Sequence, residues 1–110
     1  GRMDIGQCVV VKEHMVVAVE AMEGTNETIT RAGRLGGKGC VVIKSFKPGQ
    51  EENVDQPAIG LETVRTMIKA EATCLAIEAK RSLFFDREKS IEVANEARIC
   101  VLGYHADLEL

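Results

Sequence analysis

Lys44, Lys47, Gln50 and Asp55 fall within one stretch, KSFKPGQEENVDQPAIG at residues 44–60. Together they bring cations, an amide and a carboxylate, the set that phosphate and metal chemistry needs. A second group, Glu20, Glu23, Gly24 and Thr25, stands where an apolar run gives way to a glycine and a hydroxyl residue, the pattern of a helix start. Helix N-termini favour negative charge, so a phosphate fits there with magnesium between it and the carboxylates. Magnesium takes oxygen ligands and keeps several waters, so one or two carboxylates such as Asp55 and Glu23 suffice. Lys44, Lys47 and Arg81 are placed to neutralise developing phosphate charge. Structural roles compete for the same residues. Glu23 also complements a helix dipole, Asp86 also caps a helix, and Lys44 and Arg81 also read as solvated surface charges.

The elements that position these groups follow from periodicity. Residues 8–12 (CVVVK) and 15–20 (MVVAVE) are β-branched runs separated by Glu13 and His14, which predicts a hairpin. Thr25 is expected to cap a helix running to about Leu35 and ended by Gly36 and Gly37. A strand over residues 40–46 (CVVIKSF) leads into the 44–60 stretch, which has neither a helical nor a strand period and is punctuated by Pro48, Gly49 and Pro57. A solvated linker and a functional loop are equal readings of its composition. Gln56 precedes a proline, is biased to extended geometry, and so holds Asp55 on a stiffened turn. Residues 61–72 place Val64, Met67 and Ile68 on one helical face. A strand at 74–79, a short apolar segment at 83–85, a helix after Asp86 with Ile91, Ala94 and Ala97 as its apolar stripe, and a last strand at 99–104 complete the order. The expectation is an α/β single domain with a mixed sheet of five to six strands and three helices. An internal echo, VVAVEAMEG at 16–24 and CLAIEAKRS at 74–82, suggests that Glu20 and Glu78 occupy equivalent strand ends, where open α/β sheets gather ligands.

Composition narrows the class. The chain of 110 residues is long enough for one core and too short for two, and residues 1–3 and 105–110 read as a scar or linker and as a tail. A net charge of −3 without a basic run gives no reason to expect nucleic acid. No apolar run approaches the ~20 residues of a membrane span, and the start lacks a signal-peptide pattern, so a cytoplasmic protein is expected. Cys8, Cys40, Cys74 and Cys100 each lie in an apolar run with no Cys-x-x-Cys pair, which predicts buried reduced thiols. His14 and His105 have no companion ligand at a recognisable spacing, so neither is expected to be catalytic.

The strings DIGQCVVV, VVAVEAMEGTNETI, KGCVVIKSFKPGQ, VDQPAIG and LAIEAKRSL, in this order over nearly the whole chain, resemble the C-terminal domain of the UDP-2,3-diacylglucosamine pyrophosphatases of the LpxI type. The resemblance implies a magnesium-dependent hydrolase of lipid A synthesis that splits UDP-2,3-diacylglucosamine into UMP and 2,3-diacylglucosamine 1-phosphate. It implies a substrate bound between two domains, of which this chain resembles the second, so the partners are a missing N-terminal domain and a lipid substrate that brings the protein to the membrane surface. A homodimer is expected as well. The family's essential aspartate falls on Asp55. Its other motifs fall on Glu20 to Thr25, on Lys44, Lys47 and Gln50, and on Glu78 with Arg81 nearby. Catalysis is thus expected from Asp55 and Glu23, which also hold magnesium, and substrate binding from Gly24, Thr25, Lys44, Lys47, Gln50, Glu78 and Arg81. Asn26 stands where the family has aspartate, Asn53 where it tends to have arginine, and Lys80 where it has glycine. A second expectation, from another class, is a non-catalytic phosphate-binding or dimerisation module.

Overall fold

The computed structural model describes residues 6–46, 58–78, 83–84 and 87–104. Glu13 and His14 have positive φ angles of 53° and 67°, the pair of left-handed conformations that closes a tight hairpin. They join β1 (Gly6–Lys12) to β2 (Met15–Val19), which pair antiparallel with a register shift between Val10 and Val11. That bulge turns both Val17 and Ala18 toward the helices, where the Val17 methyls stand against Gly36.

The remaining elements run α1 (Thr25–Gly36), β3 (Val41–Phe46), β4 (Ala58–Ile59), α2 (Leu61–Ala70), β5 (Cys74–Glu78), β6 (Leu83–Phe84), α3 (Arg87–Glu96) and β7 (Cys100–Tyr104). The main sheet has the order β2-β1-β3-β5-β7, with β1 antiparallel to both neighbours and β3, β5 and β7 parallel. β4 and β6 form a separate parallel pair. The mixed α/β fold expected from the sequence is therefore observed, with three helices and a five-stranded main sheet among the described residues. Among the described residues no helix is long and apolar enough to cross a membrane.

One face of the sheet supplies the core. Cys8 and Val10, Val42, and Leu75 and Ile77 alternate inward and join Ile29, Ala32, Val64, Met67 and Ala94 from the three helices in one buried cluster. The two central helices lie side by side and nearly touch. A Cβ added to Gly33 of α1 would stand 2.9 Å from the Ala70 Cβ of α2, so only glycine permits this approach.

Several expectations change in detail. Gly24, with φ 95°, is the residue that precedes the first turn of α1, and Thr25 is its first helical residue. The second helix stops at Ala70 because Glu71 turns left-handed at φ 63°. The buried residues of α3 are Ser90 and Ala94, while Ala97 lies past its end and is exposed. Cys8 and Cys40 are buried, but Cys74 is half-buried and Cys100 exposed. The 83–84 segment pairs outside the main sheet, and the expected cap Asp86 lies outside the described residues.

Candidate functional site at the carboxyl end of the sheet

Lys44 occupies the buried parity of β3, two positions beyond Val42, and is only 7% exposed. A charge there is costly without partners. Its Nζ donates to Thr25 Oγ1 at 2.7 Å and lies 3.5 Å from Glu20 Oε1. Thr25 Oγ1 in turn donates to Glu20 Oε1 at 3.3 Å. Three chemical groups from the end of β2, the start of α1 and the end of β3 are thus joined in one partly buried cluster.

Backbone geometry places Thr25. The Gly24 carbonyl accepts from both the Thr28 N–H at 3.1 Å and the Thr28 hydroxyl at 2.8 Å, while the positive φ of Gly24 turns the chain into the helix. Among the described residues no side chain caps α1 or α2 at its N-terminus, so both first turns keep amide donors available to an anion. The two ends are neighbours, because Thr63 Oγ1 of α2 donates to Asn26 Oδ1 of α1 at 3.4 Å. The arrangement suits a phosphate group, with two helix N-termini and one lysine on the same edge.

Glu23 goes elsewhere. It is exposed, and Arg31 Nε and Nη2 donate to its two carboxylate oxygens at 3.0 and 2.8 Å. These bonds, together with the Ala21 amide and the arginine charge, outweigh desolvation and lower its pKa. Glu20 is the carboxylate that meets Thr25 and Lys44. Glu20 lies on the same face as the buried Ala18, two residues back, so period-two alternation from a buried alanine is the sequence signal that finds it.

Glu78 ends β5 beside Tyr104, on the sheet face opposite Lys44, since Lys44 pairs with Ile77 and side chains alternate. Burial and the Glu78 carboxylate raise the Tyr104 pKa, partly offset by a hydrogen bond with Ser45. The echo between residues 16–24 and 74–82 therefore matches strand ends but reverses their faces, so Glu20 and Glu78 are not equivalent. Asp55, Lys47, Gln50 and Arg81 lie outside the described residues. Of the expected site, the structure brings together Gly24, Thr25 and Lys44, with Glu20 added and Glu23 at the rim. Among the described residues there is no group of three or more histidine, cysteine or acidic side chains able to hold a metal.

Residues 1–102 match the family model of the LpxI C-terminal domain. A curated relative, UDP-2,3-diacylglucosamine pyrophosphatase LpxI of Caulobacter vibrioides, is 40% identical over 111 aligned positions, covering 94% of this chain and 40% of its own length. The chain thus spans well under half the length of that relative. Among solved structures, dCMP deaminase from the cyanophage S-TIM5 in complex with dCMP and dUMP superposes with a TM-score of 0.58 at 10% identity, over 94% of this chain and 83% of that one. A diaminohydroxyphosphoribosylaminopyrimidine deaminase/reductase from Thermotoga maritima gives 0.56 at 16% identity, over 94% and 30% of the two chains. At these identities the likeness is one of fold alone. Zinc deaminases carry His-x-Glu and Pro-Cys-x-x-Cys signatures, and neither occurs in this sequence.

Proposed function

This chain belongs to the family of LpxI C-terminal domains, and from that membership we propose that it forms one wall of the active site of a UDP-2,3-diacylglucosamine pyrophosphatase. The reaction releases UMP and 2,3-diacylglucosamine 1-phosphate. The observation that carries the reading is the Lys44–Thr25–Glu20 cluster beside two uncapped helix N-termini. Lys44 offsets charge on the pyrophosphate, and the first-turn amides of α1 and α2 orient its oxygens. Glu20 keeps the Lys44 ammonium aimed along the sheet end when no phosphate is present. Thr25 fixes the same ammonium through its hydroxyl. Water attacks phosphorus, and positioning with charge neutralisation carries the acceleration, so no covalent nucleophile is required.

Magnesium is part of this proposal. The donors at this end are carboxylate and hydroxyl oxygens, the hard ligands magnesium takes, and one or two carboxylates suffice. Asp55 and Glu23 would hold it, with Glu23 exchanging its Arg31 partner. When bound, the metal would supply further charge neutralisation on the phosphate oxygens. Lys47, Gln50, Glu78 and Arg81 complete the proposed substrate contacts, and the N-terminal part of the longer protein closes the other wall. A cytoplasmic homodimer working at the membrane surface, where a diacylated substrate resides, belongs to the same reading.

The test is magnesium-dependent release of UMP from UDP-2,3-diacylglucosamine, comparing the full-length protein with its Asp55→Ala variant. Turnover in the former and its near-complete loss in a folded variant are expected. Binding of substrate without turnover in the unaltered full-length protein would favour the non-catalytic module instead.

A further inference from the structure

Two of the four cysteines open neighbouring parallel strands. Cys74 is the first residue of β5 and Cys100 the first of β7, and they are direct register partners, so their side chains leave the same face of the sheet. The start of this pairing is fixed by the Cys100 N–H donating to the Thr73 carbonyl at 2.9 Å. Cys74 is half-buried and Cys100 exposed, whereas Cys8 and Cys40 are sealed in the core. Neighbouring strands run about 4.8 Å apart, inside the roughly 4.4–6.8 Å range of Cα separations that a disulfide bridges. Two thiols on paired residues of neighbouring strands, one of them open to solvent, are the arrangement that thiol–disulfide exchange needs. The pair lies at the amino ends of the strands, away from Lys44 and Thr25.

We propose that Cys74 and Cys100 are a thiol–disulfide exchange site, which a small-molecule disulfide closes reversibly into a bond between the amino ends of β5 and β7. The exposed Cys100 reacts first. Its thiolate attacks one sulfur of the oxidant, the oxidant's S–S bond breaks, and one small thiolate leaves and takes up a proton. Cys74 then loses its proton, and its thiolate attacks the Cys100 sulfur of the mixed disulfide. The second small thiolate leaves and is protonated. Two protein thiols are oxidised by two electrons, and one small disulfide is reduced to two thiols. Burial and the neighbouring Cys100 raise the Cys74 pKa, which makes Cys74 the poorer first nucleophile and leaves it the second step, on the sulfur of its register partner. The bond spans the whole α3 crossover. An exposed bridge of this kind is readily reversed by thiols.

The site is tested on the folded protein with glutathione disulfide, followed by alkylation of remaining thiols and peptide mass spectrometry. The expected product is a Cys74–Cys100 crosslink that dithiothreitol reverses, with Cys8 and Cys40 still reduced. In Cys74→Ser a glutathione adduct should persist at Cys100. In Cys100→Ser, adduct formation at Cys74 should slow by about tenfold or more, since burial limits both thiolate formation and access. A wild-type protein that accumulates a stable adduct at Cys100 with Cys74 still free would overturn the proposal. So would a pair that reacts only after unfolding.

Discussion

The two ends of the central sheet are built from the same strands and do opposite things with polar groups. At the carboxyl end a lysine is drawn into the buried layer and held by Thr25 and Glu20, beside the starts of α1 and α2, which no described side chain caps. At the amino end the helices press together at Gly33 and Ala70, and the side chains that open β5 and β7 are the thiols Cys74 and Cys100. Both ends are fixed by the same helix pair, which meets through Asn26 and Thr63 at one end and through Gly33 and Ala70 at the other. The contrast shows how a parallel helix pair serves a site. Close packing at one end sets the spacing of two helix N-termini at the other, where their dipoles add.

The largest expected effect comes from removing the carboxyl-end charge. Lys44→Met keeps the unbranched apolar stem but removes the ammonium, and should lower UMP release by the full-length protein about a hundredfold or more, the scale of losing one preorganised electrostatic group. Circular dichroism should show the fold retained. Turnover within a few-fold of wild type would separate Lys44 from the site.

Wedging the amino end comes next. Gly33→Ala places a methyl 2.9 Å from the Ala70 Cβ, and overpacking of this kind costs about 1–3 kcal/mol. The variant should melt several degrees lower in a thermal unfolding scan. An unchanged melting temperature would mean that the helices part without cost, and the shared-helix account would lose its mechanical link.

Cys8 lies at the carboxyl end, opposite Lys44 in the β1–β3 register, and burial pushes its thiol up to about 12 from an ordinary value of 9.0. The folded protein therefore holds this proton more tightly than the unfolded chain. The resulting stability is complete below about pH 9 and is lost progressively as pH rises toward 12. Denaturant unfolding at a series of alkaline pH values should show a steeper decline for wild type than for Cys8→Ala. Parallel curves would contradict the burial argument.

The smallest effect belongs to the rim. Arg31→Gln should leave stability nearly unchanged, because the Glu23–Arg31 pair is exposed. It should return the Glu23 carboxyl from its lowered pKa toward the ordinary range, a shift that carboxyl-carbon NMR over an acidic pH series reads directly. In wild type, whatever the pair contributes is present at neutral pH and fades on acidification through the lowered value.

Much of the fold was legible because its signals are local. The β-branched runs, the Glu13–His14 turn and the glycines after α1 each announce themselves within a few residues. The cluster at the carboxyl end was legible in part for the same reason: Gly24, Thr25 and Lys44 stand at recognisable element ends. The misassignment of helix capping to Thr25 arose because a hydroxyl residue after a glycine looks like a cap, whereas here the positive φ of Gly24 makes the turn and leaves the hydroxyl for Lys44 and Glu20. Glu20 joins Thr25 while Glu23 pairs with Arg31, eight residues further on in α1, a contact that no strand or helix period predicts. Cys74 and Cys100 looked like core thiols because each sits in an apolar run. Their meeting depends on the β5–β7 register, which single-strand patterning does not encode.

The most direct measurement follows backbone amide resonances of the isotope-labelled protein as inorganic pyrophosphate is added with magnesium. The account predicts that the largest shifts fall on Thr25 and Asn26 in α1 and on Leu61 and Glu62 in α2, with the Lys44 side chain responding and the amides of Cys74 and Cys100 still. Shifts centred on the amino end of the sheet, or saturable binding that leaves both helix starts unmoved, would contradict it.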